Sequence, residues 1–224
     1  MAGAWEVRAA NRMMLGIIHT ETTTIGWSLG LRRLIVPGPV VTATGMPYDH
    51  CRNSLCQKAL DDGFDYLGFL DSDVIPPADA FLRLLDHNLP VVSGMYCRRS
   101  PPHGIPVAIR NKVWVQQITG GLEEVDYVGA GLLLIKREVL EKVPPTRPLA
   151  GKRWFDWRVD MRGVKDPTTG KEMYAPDECL SEDFQWCKHV KEHGYKVMLD
   201  TSIQAKHVGL AEATYGNLQP FHHG

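Results

Sequence analysis

Two aspartates one residue apart, in Asp71-Ser72-Asp73, follow the nearly apolar run FDYLGFL (residues 64–70) and precede Pro76-Pro77. In an extended backbone alternate residues face the same side, so the two carboxylates can address one ligand. Paired hard oxygens of this kind suit a divalent cation and the diphosphate oxygens that such a cation binds. An Asp-x-Asp also makes an ordinary turn. The placement argues for more, because the carboxyl end of a buried strand is where open α/β sheets bind ligands.

Two later features could complete a site. Ser181-Glu182-Asp183 opens a helical pattern, and acidic residues there are sufficiently explained by the helix dipole. A carboxylate at a sheet edge could equally take a proton from an incoming hydroxyl, the task of a general base. His207, in Ala205-Lys206-His207-Val208-Gly209, stands just past the expected last strand. Imidazole ligates Mn²⁺-like ions beside carboxylates, although a lone histidine is more often an ordinary surface or core residue.

The elements that would carry these residues alternate between strand and helix. Strands are expected at 13–19, 40–44, 64–70 and 89–95. Helices are expected at 25–34, from about 49 to Gly63, and after Pro76-Pro77, with the prolines in the first turn. On the first helix Ile25, Leu29 and Leu34 form the apolar positions. This order predicts an α/β fold with a mainly parallel central sheet and helices on both faces. Further on, residues 107–119 alternate as one or two strands, 127–135 read as one apolar strand, and 137–143 as a short helix. A helix at 181–193, with Ser181 as N-cap, and a last strand at 196–200 complete the pattern.

Residues 144–178 show little periodicity, which marks a functional or disordered segment. Basic residues exceed acidic ones there, with Trp154, Phe155 and Trp157 among them. Such a mixture suits stacking on a sugar or base with phosphate contact; a packed loop with its aromatics in the core is an equal alternative. Arg98-Arg99 and His103 follow a strand end and could reach the same ligand cleft, but read first as a solvated turn.

Composition narrows the class. The chain has 224 residues, 44% hydrophobic and 23% charged, and a net charge of −1, the profile of one globular domain without a global field for nucleic acid or anionic membrane. No signal-peptide pattern and no membrane-span run is evident. Five irregularly spaced cysteines suggest neither a disulfide framework nor a zinc site, so a cytoplasmic location is expected.

Taken in order, YDHCRNSLCQKAL, FDYLGFLDSDVIPP, VVSGMYCRR, VDYVGAGLLLIKREVL, SEDFQWCKHVKEHGYKVMLD and KHVG resemble the nucleotide-sugar glycosyltransferases of the GT-A fold. The likeness is greatest to the short family-2-like enzymes of bacteria and phages, and it covers about residues 13–209. It implies a single Rossmann-like domain spanning 1–224. The nucleotide-sugar half would be about 13–95 and the acceptor and catalytic half about 96–209. From its own lack of periodicity, basic excess and clustered aromatics, the stretch of about 146–178 is expected to be a mobile loop.

The resemblance also implies roles. Asp71, Ser72 and Asp73 match the DxD motif, with Asp73 as direct ligand of Mn²⁺ or Mg²⁺, Asp71 towards ribose and metal waters, and His207 completing the metal shell. Asp183 would be the base of an inverting reaction, and Glu182 would hydrogen-bond acceptor or donor sugar. Arg52 would face the donor nucleotide or diphosphate, and Thr20 and Glu21 would contact the nucleotide. Gly129-Ala130-Gly131 would let the sugar approach the backbone. A UDP-sugar is the favoured donor; the acceptor is a glycan, a protein or a modified nucleic acid. The alternatives are a nucleotidyltransferase, and a catalytically inactive sugar-nucleotide or glycan-binding module.

Overall fold

β1 (Met13–His19) is buried along both faces, as its apolar run demands of a strand that meets helices on each side. In this computed structural model, which describes residues 13–45, 47–99, 104–145, 153–156, 158–159, 179–209, 211–214 and 217–220, β1 lies between parallel neighbours. These are β2 (Val40–Thr44) and β3 (Tyr66–Asp71). β10 (Leu132–Lys136) runs antiparallel to β3 and to β5 (Val91–Tyr96), and β13 (Val197–His207) runs parallel to β5. The central order is therefore β2-β1-β3-β10-β5-β13, extended by β14 (Ala211–Thr214) and β15 (Asn217–Pro220). Of the central strands only β10 is reversed, so the sheet is mainly parallel. β4 (Val74–Ile75) and β8 (Leu122–Val125) pair antiparallel with β13. A small sheet joins β6 (Ala108–Arg110), β7 (Val113–Trp114) and β9 (Tyr127–Val128), and β11 (Arg158–Val159) pairs with β12 (Cys179–Leu180).

Five helices among the described residues cover the sheet on both faces. α1 (Ile25–Arg33) and α3 (Ala80–Asp86) set Trp27, Phe81 and Leu84 against Leu15, Ile17, Leu70 and Leu134. α2 (Tyr48–Asp61), α4 (Arg137–Lys142) and α5 (Glu182–Glu192) set Leu55, Leu140 and Trp186 against Met14, Leu67, Phe69 and Ile135. No helix among the described residues is long and apolar enough to cross a membrane.

Four local expectations change. The apolar run 127–135 is two strands in two sheets, because Gly129-Ala130-Gly131 carries the chain from β9 across to the reversed β10. Ile25 and Leu29 are 80% and 47% exposed, while Trp27 is buried. The helix turns that way because the indole brings the largest apolar surface and its Nε1 needs an acceptor, which it finds in the Asp71 carbonyl at 3.1 Å. The last expected strand runs on through an irregularity between Asp200 and Gln204, so His207 ends β13 instead of following it. Pro76-Pro77 precede α3 by a turn, the first of whose hydrogen bonds runs from Ala80 N–H to the Pro77 carbonyl at 3.1 Å.

Glu123 locks the turn before β8 onto β13. Its Oε1 accepts from the Thr119 N–H at 2.7 Å and hydroxyl at 2.8 Å, and its Oε2 pairs with Arg110 at 2.7 Å. Burial works to raise its pKa, but the Thr119 donors and then Arg110 outweigh it and hold the carboxyl below its ordinary value. A depressed carboxyl contributes stability above the unfolded pKa, about 4.3, and loses it as pH falls through the lower folded value. Glu123→Gln should therefore be less stable at pH 7 and show a shallower acid limb between pH 5 and 2 in urea melts. An unchanged acid limb would show that this carboxylate does not carry it.

Candidate functional site

The carboxyl end of β3 is fastened from three sides. Asp71 N–H donates to the Gly131 carbonyl at 3.1 Å, Ser72 N–H to that of Ile18 at 3.0 Å, and Val208 N–H to that of Asp73 at 2.7 Å. Immediately afterwards Val74 pairs with His207 across β4 and β13. That pairing is why residues so distant in sequence meet: Nε2 of His207 lies 3.5 Å from Asp73 Oδ1. Nδ1 of His207 is 2.8 Å from the Cys97 carbonyl. A carbonyl only accepts, so Nδ1 donates its proton there, and the ring is oriented with Nε2 facing Asp73. Burial tends to raise the Asp73 pKa, but hydrogen bonding and charge from His207, then the Arg99 guanidinium, hold it below the ordinary value.

Asp71 is engaged differently. One Arg52 nitrogen, Nη2, sits 3.2 Å from each of its oxygens, and Arg52 Nε is 3.3 Å from Glu182 Oε1. Arg52 Nη1 reaches the Ala130 carbonyl at 3.4 Å. The guanidinium is thus sealed beneath the site, 3% exposed, and does not face the cleft as a diphosphate contact would. Burial raises the pKa of both Asp71 and Glu182, with Arg52 the chief opposing charge. Glu182 is also buried, so it acts on the site through Arg52 and not by direct contact with a sugar.

Asp183 projects from the first turn of α5. Its Oδ2 accepts the Ala130 N–H at 3.2 Å, and its Oδ1 accepts the Phe184 N–H at 2.9 Å and the Ser181 hydroxyl. Ser181 occupies the N-cap position, but its hydroxyl serves Asp183 and caps no backbone N–H. The Gly129-Ala130-Gly131 segment links Arg52 to Asp183 through Ala130. Its glycines make room for Tyr96: a Cβ on Gly129 would come within 2.0 Å of the Tyr96 hydroxyl, and one on Gly131 within 2.9 Å of the same ring. The small residues are accounted for by that ring.

Two clefts open here. One, of about 190 Å³, is lined by Asp71, Ser72, Asp73, Tyr96, Arg99 and His207. The other, of about 350 Å³, is lined by Arg98, Arg99, Trp114, Asp183, Phe184 and His207. Tyr96 is the residue that sequence reasoning passed over, and Arg99, read first as part of a solvated turn, lines both clefts. The signal was available: they end and follow β5, whose carboxyl end lies at the same sheet edge as that of β3. Thr20 and Thr22 form a tight turn after β1 with Glu21 at φ +24°. Glu21, with Ile17, His19, Trp27 and Val40, borders a separate, mostly apolar cleft of about 250 Å³; Thr20 is exposed beside it.

As a cation site the residues fit in part. Asp73 and His207 supply a hard oxygen and an oriented imidazole nitrogen, a donor set suited to Mn²⁺ or Mg²⁺. Asp71 is held by Arg52, and among the described residues no group of three His, Cys, Asp or Glu side chains stands close enough to hold a metal.

Of the loop expected at 146–178, only 153–156 and 158–159 are described; Trp157 and the rest lie outside the described residues, as does His103. Trp154 and Phe155 are core residues, 1% and 0% exposed. Asn53 clamps them, its Oδ1 accepting both backbone N–H groups at 2.7 and 3.0 Å. Trp154 Nε1 donates to the Leu140 carbonyl at 3.0 Å, so neither ring is a platform for ligand.

No protein-family model matches the sequence, and no curated protein matches it. Among solved structures, the chain is similar to A197 from STIV, with a TM-score of 0.63 and 18% identity over 95% of each chain. Likeness at that identity establishes the shared mixed α/β fold.

Proposed function

We propose that the chain is a divalent-cation-dependent glycosyltransferase of the GT-A type. It would transfer a sugar from a nucleotide-diphosphate sugar, UDP-sugars favoured, to an acceptor hydroxyl. The observation that carries this reading is the Asp73–His207 pair at the carboxyl edge of the parallel strands, beside a second cleft lined by Asp183. Asp73 and His207 Nε2 would hold Mn²⁺ or Mg²⁺, with donor diphosphate and water completing the shell. Bound there, the ion supplies Lewis-acid neutralisation of the leaving diphosphate.

The chain's own groups do the rest. Asp183 takes the proton of the acceptor hydroxyl in an inverting transfer, its carboxylate aimed by donors on both oxygens. Arg52 holds Asp71 and Glu182 in place beneath. The apolar cleft beside Glu21 suits the nucleobase, and Thr23 ties its rim to the Asp-Ser-Asp turn by a 3.1 Å bond from its hydroxyl to the Ser72 carbonyl.

Thermal unfolding with UDP-, GDP-, CMP- and TDP-sugars, with and without Mn²⁺, tests this. A ligand at a hundred times its Kd stabilises by about 2.7 kcal/mol, a rise of about 5–10 °C in Tm for a chain of this size. The rise should require both UDP-sugar and Mn²⁺, vanish in EDTA, and vanish in Asp73→Ala, which itself stays folded. A nucleoside triphosphate that stabilises more than any nucleotide sugar would turn the reading to nucleotidyl transfer. No shift with any of them would sink both.

A further inference from the structure

Arg99 stands between the two clefts and lines both, as His207 does. Its Nη2 is 3.0 Å from Asp73 Oδ2, and its Nη1 donates to the Val208 carbonyl at 3.1 Å. Val208 in turn donates its N–H to the Asp73 carbonyl at 2.7 Å, so one short piece of backbone anchors both members of the ion pair. Gly209 leaves the guanidinium its place: a Cβ there would come within 3.0 Å of Arg99 Nη1. The arrangement is built, yet it is open to water, with the side chains 45% and 32% exposed. A pair so exposed is worth little and can exchange partners readily.

The two oxygens of Asp73 thus have different neighbours. Oδ1 faces His207 and Oδ2 faces Arg99. A cation entering beside Asp73 would meet a guanidinium already on the same carboxylate, and like charges a few ångströms apart repel. Resting on the reading of Asp73 and His207 as cation ligands, we infer that Arg99 and the divalent cation compete for Asp73. Arg99 is the counter-charge of Asp73, and cation entry displaces its Nη2 while Nη1 keeps its hold on Val208. Arg99 is therefore a positioning residue that weakens cation binding until the donor brings further oxygens.

Mn²⁺ titration followed by electron paramagnetic resonance, without nucleotide, measures this directly. Arg99→Gln should bind Mn²⁺ about fivefold tighter than wild type, the scale of one exposed ion pair and its charge. Arg99→Lys, which keeps the charge, should stay within about twofold of wild type. The gap should narrow at high salt, since exposed charges are screened. Asp73→Asn should abolish the tight binding of the Arg99→Gln background. A merely structural Arg99 would lower Tm and leave the Mn²⁺ affinity unchanged. Equal or weaker affinity in Arg99→Gln overturns the competition. Absence of Mn²⁺ binding in both proteins overturns it as well, and a UDP-sugar stabilisation that persists in EDTA would then show a nucleotide-sugar site that works without the cation, against the cation dependence proposed above.

Discussion

Arg52→Ala should unfold about 10 °C or more below the wild type. The substitution removes a buried guanidinium and leaves Asp71 and Glu182 without their shared partner, a loss of about 3–5 kcal/mol when one member of a buried ion pair is deleted. Each kcal/mol is about 2–4 °C for a chain of this length. The pH dependence separates charge from packing. Burial raises both carboxyls above their ordinary values, and Arg52 is the main group opposing that rise. Without it both rise further. A carboxyl whose folded pKa is raised contributes stability below its unfolded pKa and loses it as pH climbs through the folded value. The deficit of the variant should accordingly be largest at pH 8 and shrink towards pH 5. A deficit that stays constant with pH would assign the loss to packing, since the guanidinium also lies 5.5 and 5.9 Å from the ring centroids of Phe69 and Phe155.

Asp183→Asn should lower kcat by about 100-fold or more, the ordinary cost of removing a general base. Donor affinity should hardly change, because Asp183 lines the second cleft and not the one over Asp71 and Asp73. The carboxamide is isosteric and keeps an oxygen for the Ala130 N–H, so the start of α5 should persist in the variant. Glu182→Gln should cost less in kcat, since Glu182 reaches the site only through Arg52. NMR of the product should show an inverted anomeric centre. Wild-type kcat in Asp183→Asn, or a retained anomeric configuration, would remove Asp183 from the role of base.

Much of the scaffold was legible because burial writes itself into local periodicity. The run ending in Asp71-Ser72-Asp73 is apolar on both faces, which a polar-solvated strand could not be, and two aspartates closing such a run can only mark its exit at the sheet edge. The helices starting near 48 and 182 were legible for the same reason, with Gly63 and Gly194 at positive φ (71° and 84°) stopping them. Where the amphipathic signal was shared among several apolar residues, it misled: α1 could have turned Ile25 and Leu29 inward, and only the reach of the Trp27 indole to the Asp71 carbonyl decided otherwise.

By itself, then, the sequence determined an α/β alternation, the strand-end carboxylates, and the acidic opening of α5. The tertiary structure alone decided which charges meet. Arg52 and Glu182 are separated by 130 positions and Arg99 and Val208 by 109. A guanidinium at a helix start reads the same whether it points at a diphosphate or into a buried carboxylate pair. Hydrophobic periodicity records how deeply a residue is buried and carries nothing about the identity of its partner across the sheet. The reversed β10 and the irregularity in β13 set those partners here. They bring His207 to Asp73, Tyr96 under Gly131, and Arg99 between the two clefts, through pairings that no local pattern encodes.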